Sequence, residues 1–238
     1  MKALLPALGL ALSSCATIHQ TVRAPGPPYS TKHTHYPREA IVVRCAADWP
    51  QGVGTVTTSR GRTIIDGGRQ WTISGAQMPG ECDQNERNEP VIRIQMPNLT
   101  LRGFGIAESK DGITSNRYGT IFEDLVVTKI CEDGINPMAG CNGSAIRNCY
   151  LSGACDKSIQ WNGCKKIEIR ANTIVGGINA IRLMGTSSDA VTDNEIYNVR
   201  TGIQVTKGGI LRVRPGANKF YGTLQDYKTE EGGIIEGR

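Results

Sequence analysis

Six side chains in the middle of this chain are of types that do chemistry, and their spacing is close to regular: Asp111, the pair Glu132–Asp133, the pair Asp156–Lys157, and Arg182. Carboxylates crowded together repel, so a cluster of them calls for a cation. Oxygen donors without histidine select calcium over zinc. A lysine and an arginine beside such a cluster would hold an acidic ligand. They would also steady negative charge that develops when a proton is abstracted next to a carboxylate. All of this requires a backbone that brings residues more than twenty positions apart to one rim.

The chain supplies a repeat that can do so. Asp124, Asn148, Asn172, Asn194 and Asn218 recur at separations of 24, 24, 22 and 24. A second column runs through DGI at 111–113, DGI at 133–135, DKSI at 156–159, NAI at 179–181 and TGI at 201–203. A period of 22–24 residues built from short β-type runs and Gly/Asn turns is a coil of solenoid. Leucine-rich repeats share that length but need leucines that are missing here. The expected fold is all-β, a single-stranded right-handed parallel β-helix in which like residues stack about 4.8 Å apart. The first column would run as a buried asparagine ladder. The second would align Asp111, Asp133 and Asp156 on one edge, with Glu132, Lys157 and Arg182 on the same face. The competing reading is that Asp-Gly is a common turn pair whose acid caps backbone amides. That reading suffices for Asp111 alone but not for the set.

Bulk composition agrees with a repetitive β-protein. Aromatics are only 5%, glycine reaches 29 residues, and no amphipathic helical period runs through 60–220. The net charge of +5 suits a polyanion, yet the basic residues form no run interleaved with aromatics. Nucleic acid is therefore not expected as a partner.

The N-terminus reads as an export signal, with Lys2 ahead of the short apolar run Ala3–Leu12. Residues 1–15 end in LSSC, which resembles a bacterial lipobox with Cys15 as the acylated residue; an ordinary cleaved signal is the alternative. The lipobox reading implies an outer-membrane-anchored lipoprotein, the ordinary signal an extracellular protein, and membrane contact is expected only through the lipid. Residues 16–39, rich in proline and carrying His19, His33 and His35, read as a solvated tether. The solenoid is expected over 40–222, with its first coils and an N-terminal cap in 40–97, and 223–238 as a tail that closes or frays the far end. The terminal IEGR resembles a protease recognition sequence and is given no structural weight. Eight cysteines in an exported chain point to disulfides. Cys141 and Cys164, one coil apart, form the leading candidate pair. Cys131–Cys155 and Cys45–Cys82 are weaker ones, with Cys149 left over.

Several stretches together resemble the small pectate lyases of polysaccharide lyase family 3: TIIDGGRQW (63–71), NERNEPVIRI (85–94), KDGI (110–113), CEDG (131–134) and DKSIQWNG (156–163). The resemblance covers about residues 60–205. It implies a calcium-dependent β-elimination that splits polygalacturonate or a related uronic-acid polymer. Calcium ligands carried over are Asp111, Glu132 and Asp133, with Glu86 as an outer partner. Lys157 and Arg182 carry over as catalytic and substrate-binding cations, with Arg182 as the base and Lys157 the runner-up. Gln160 and Trp161 would contact sugar, although Trp161 reads equally well as a core residue. A monomer is expected.

The chain also departs from the family pattern. Met138 and Asn179 stand where the family has lysines, and Lys129 stands where it often has aspartate. The rival expectations are therefore a non-catalytic carbohydrate-binding solenoid and a structural β-solenoid.

Overall fold

The computed structural model describes residues 32–35, 40–75 and 89–237. Its strands form sheets of 13, 8 and 3 strands. Every inter-strand pairing in them is parallel except the hairpin between Thr55–Ser59 and Arg62–Ser74. Each central coil contributes three strands in the same order. One coil is Ile121–Glu123, Val126–Ile130 and Asp133–Pro137. The next is Ala145–Arg147, Tyr150–Ser152 and Lys157–Asn162, and each strand lies against its counterpart in the coil before. The expected parallel β-helix is the fold observed.

A column of isoleucines explains why the coils stack. Ile113, Ile135, Ile159, Ile181 and Ile203 are register partners in successive coils, and each is 0% exposed. Each contributes roughly 1.5–3 kcal/mol by leaving water. β-Branched side chains also suit the pleated, fully covered strand. The acid–glycine pairs at the start of the eight-stranded sheet have a steric cause. A Cβ on Gly112 would come 2.2 Å from Gly134 O, and one on Gly134 would come 2.5 Å from Ser158 O.

The asparagine ladder is present but shorter than the sequence pattern implies. Asn172 Nδ2 donates to Asn194 Oδ1 at 2.9 Å, and Asn194 Nδ2 donates to Asn218 Oδ1 at 2.8 Å. Below Asn172 the ladder position belongs to Cys149, whose backbone N–H donates to Asn172 Oδ1 at 2.9 Å. Asp124 and Asn148 instead occupy the left-handed turn one residue earlier, each with φ of 54°. Ala171 and Asp193 hold that turn in later coils, with φ of 55° and 58°. Asn and Asp tolerate this conformation and also form ladders, so the sequence alone placed both roles in one column.

The N-terminal end differs from expectation, and at the C-terminal end the segment closes the coil stack rather than fraying from it. Residues Lys32–His35, read as tether, form a strand paired in parallel with Trp71–Ser74. The rest of 1–39 lies outside the described residues, and so do the lipobox, Cys15, Cys82 and Glu86. The stretch after Tyr221 is no frayed tail. Gln225–Thr229 and Ile234–Glu236 add parallel strands to two of the sheets, and Phe220 meets Tyr227 edge-on at 5.1 Å. Near the other end Trp49 packs edge-on against Phe104 at 5.4 Å and donates from Nε1 to Val53 O at 2.6 Å.

Cys141 and Cys164 are disulfide-bonded across one coil with Cα atoms 5.5 Å apart. The pair Cys131–Cys155 is not formed: Cys155 is disulfide-bonded, whereas Cys131 is a buried thiol. Cys155 N–H donates to Ile130 O at 3.3 Å, the bond of a residue in parallel register with Cys131, so the two positions stack without being bonded to each other. Cys45 is an exposed thiol, so Cys45–Cys82 is not formed either, and Cys149 is a buried thiol.

Candidate functional site

The eight-stranded sheet carries the chemistry. In its first outward column Asp133 is registered with Lys157, and Lys157 with Asn179. The spacing in the sequence had put Asp156 in that column. The offset between these two coils is 24 residues in all three strands, not the 23 that would align Asp133 with Asp156, so Lys157 enters the column and the order is acid then base rather than three acids. Asp156 stands beside the column and accepts a short hydrogen bond from Lys157 Nζ. A second column three residues along each strand holds Asn136, Gln160, Arg182 and Gln204. Within it Gln160 pairs with Arg182 and Arg182 with Gln204.

The two columns communicate through Asp133. Its Oδ2 accepts from Asn136 Nδ2 at 3.0 Å and from Gln160 Nε2 at 3.1 Å, while Lys157 Nζ stands 3.4 Å from Oδ1. Burial pushes the Asp133 carboxyl up to about 7 despite the Lys157 ammonium, and Asp111 and Asp156 add to the rise. Glu132, on the turn just ahead, is 7% exposed and has Lys110 Nζ 3.4 Å from Oε1. Asp111 is deeper, at 1% exposure. Its Oδ1 accepts the Asp133 backbone N–H at 3.2 Å, and burial raises its pKa above the usual carboxylate value.

Above these residues lies a groove of about 170 Å³ lined by Glu132, Asp133, Lys157, Gln160, Arg182 and Lys207, among others. Of the residues expected from the sequence, the structure therefore brings Glu132, Asp133, Lys157, Gln160 and Arg182 together. Asp111 lies beneath the groove rather than on its wall. Trp161 is not a sugar-contacting residue: it is 0% exposed and part of the hydrophobic core, because it alternates inward between Gln160 and Asn162. Lys129 is outside, paired with Glu108 at 3.1 Å.

Sequence reasoning missed Asn136, Asn162, Met184 and Lys207. The first could have been found from the column three residues after Asp133, Lys157, Asn179 and Thr201, since the bend there lets both positions face the groove. Lys207 sits in a Lys-Gly-Gly turn with φ of 51°, a position no repeat column marks.

The acids meet part of what calcium needs. Asp111 Oδ2 is a buried oxygen with no hydrogen-bond partner among the described residues, Asp133 Oδ1 has the Lys157 ammonium 3.4 Å away, and the donors are hard oxygens. No three such groups converge on one point among the described residues. An ion held by Asp133 with Asp111 or Glu132 would thus be completed by water or by ligand oxygens.

The profile of a family described as the right-handed β-helix region matches residues 93–221, more than half of the chain. The chain belongs to the right-handed β-helix family. That places every groove residue from Glu132 to Lys207 inside the matched region. Among curated proteins no match is found. A right-handed β-helix is a scaffold that serves many functions, so function must be argued from the groove itself.

Proposed function

We propose that the groove binds a uronic-acid polysaccharide and cleaves it by β-elimination. The observation that carries this reading is the convergence of Lys157, Arg182 and Lys207 on one groove that also presents Glu132 and Asp133. Arg182 lines the groove, and its buried Nε has no hydrogen-bond partner among the described residues. The local resemblance to family 3 pectate lyases at 110–113, 131–134 and 156–163 points the same way.

In the proposed reaction Arg182, as neutral guanidine, takes the proton from C5 of a uronate. The electron pair left behind forms the double bond to C4, and the bond from C4 to the glycosidic oxygen breaks. That oxygen leaves with a proton from water. A guanidinium must lose a proton before it can act as base, so the rate should climb into the alkaline range. Lys157 holds Asp133 in place, and Gln160 and Asn136 fix the orientation of its carboxylate. Calcium, when bound at Asp133 with Asp111 or Glu132, would supply fixed positive charge to the uronate carboxylate as negative charge develops there. Ultraviolet absorbance of unsaturated uronide ends, followed with calcium and with a chelator, tests the reading.

One observation favours a second reading, a groove that binds acidic sugar without cleaving it. The Lys157 side chain is 3% exposed and its ammonium is engaged by Asp133 and Asp156, so little of its charge reaches a ligand. Uronate binding without turnover would select this reading.

A further inference from the structure

The third outward column of the sheet is not charged. Asn162 is registered with Met184 in the next coil. The offset that pairs Asp133 with Lys157 and Ile135 with Ile159 sets Met138 against Asn162 from the coil before. Met138, Asn162 and Met184 all line the groove, and both methionines are half-buried. A thioether cannot donate a hydrogen bond to a carboxylate, and its methyl and methylenes lose by facing one. Along this strip the two methionines give apolar surface at positions about two coil spacings apart, roughly 10 Å, the reach of two sugar residues, with the Asn162 amide between them. Arg182 runs alongside it and Lys207 closes its far end.

We infer that the groove selects a uronate chain in which free carboxylates adjoin methyl esters: a carboxylate meets Arg182 and Lys207, and a neighbouring ester methyl lies on Met138 or on Met184. This rests on the uronate reading above and names the substrate class within it. Burying one methyl group against the strip should improve binding about fourfold, in spite of the charge removed by esterification.

The experiment is calorimetric titration of the whole protein with two oligouronates of equal length, one unesterified and one half methyl-esterified. The expected result is tighter binding of the half-esterified chain by about fourfold or more. Met138→Gln combined with Met184→Gln should abolish that preference, and Met138→Leu should keep it. Equal or tighter binding of the unesterified chain by the unaltered protein overturns this inference and leaves the uronate reading standing. So does a preference that survives the double substitution. Failure to bind either chain overturns the uronate reading itself, and this inference with it. The comparison of the two ligands on the unaltered protein decides the matter even if the double variant does not fold.

Discussion

Lys157 stands one coil from Asp133 in direct register, with its ammonium 3.4 Å from Asp133 Oδ1 and its side chain 3% exposed. An ion pair at that depth is weak evidence of net stabilisation, but breaking it leaves a buried charge alone. Lys157→Met should therefore destabilise the protein by about 3–5 kcal/mol in urea unfolding at alkaline pH, where Asp133 is ionised in the parent. The double variant Asp133→Asn, Lys157→Met should recover most of the loss. A single variant as stable as the parent would mean that the pair carries no such strain.

The raised Asp133 pKa gives a signed dependence on pH. In the folded protein this carboxyl keeps its proton up to about 7, whereas the ordinary value for an aspartate is 3.8. Between those values the folded state binds a proton that the unfolded chain has released. The contribution is therefore fully present below the lower value and is lost as pH rises through the upper one. Asp111 shifts in the same direction. With a chelator present, the stability of the parent relative to Asp133→Asn should fall as pH rises from about 4 to about 8. Calcium should reverse part of the fall at the upper end. A relative stability that climbs over that window would contradict the assignment.

The asparagine ladder should be a principal support of the C-terminal coils. Asn194 accepts from Asn172 and donates to Asn218 Oδ1 and to Ile169 O, the last at 3.0 Å. Asn194→Ala leaves the Asn172 backbone N–H without its acceptor and the Ile169 carbonyl without its donor at a buried site, at a cost of roughly 3 kcal/mol or more. Asn148→Ala, at the exposed turn, should cost far less. Paired denaturation curves would show the contrast, and equal losses would contradict it.

Much of this was legible in the sequence because a solenoid turns sequence period directly into spatial neighbourhood. Two columns sufficed to place Glu132, Asp133, Lys157 and Arg182 on one face. The errors came where one residue was inserted or where one residue type serves two conformations. The coil there is 24 residues long rather than 23, which puts Lys157 and not Asp156 opposite Asp133. Asn148 and Asn172 look alike in sequence, yet one is a left-handed turn and the other a ladder rung. Trp161 was ambiguous because a single aromatic shows no period. Lys207 was invisible because its turn repeats nowhere else.

Thiol chemistry should separate the cysteines cleanly. Burial pushes the Cys149 thiol up to about 12, and its Sγ lies 3.3 Å from the Arg147 carbonyl oxygen it bonds to. It should resist alkylation in the native protein and react once the protein is denatured. Cys45, exposed, should react at once. Mass mapping of native and denatured samples would check this, and rapid native labelling of Cys149 would contradict the packing of the turn that holds it.

The most direct test of the groove is Arg182→Ala assayed beside the parent on polyuronate at alkaline pH with calcium. The parent should release unsaturated uronide, and the variant should lose about 100-fold or more of that rate while its thermal unfolding and circular dichroism stay unchanged. A parent that neither binds nor cleaves polyuronate, or a variant with undiminished rate, would contradict the account.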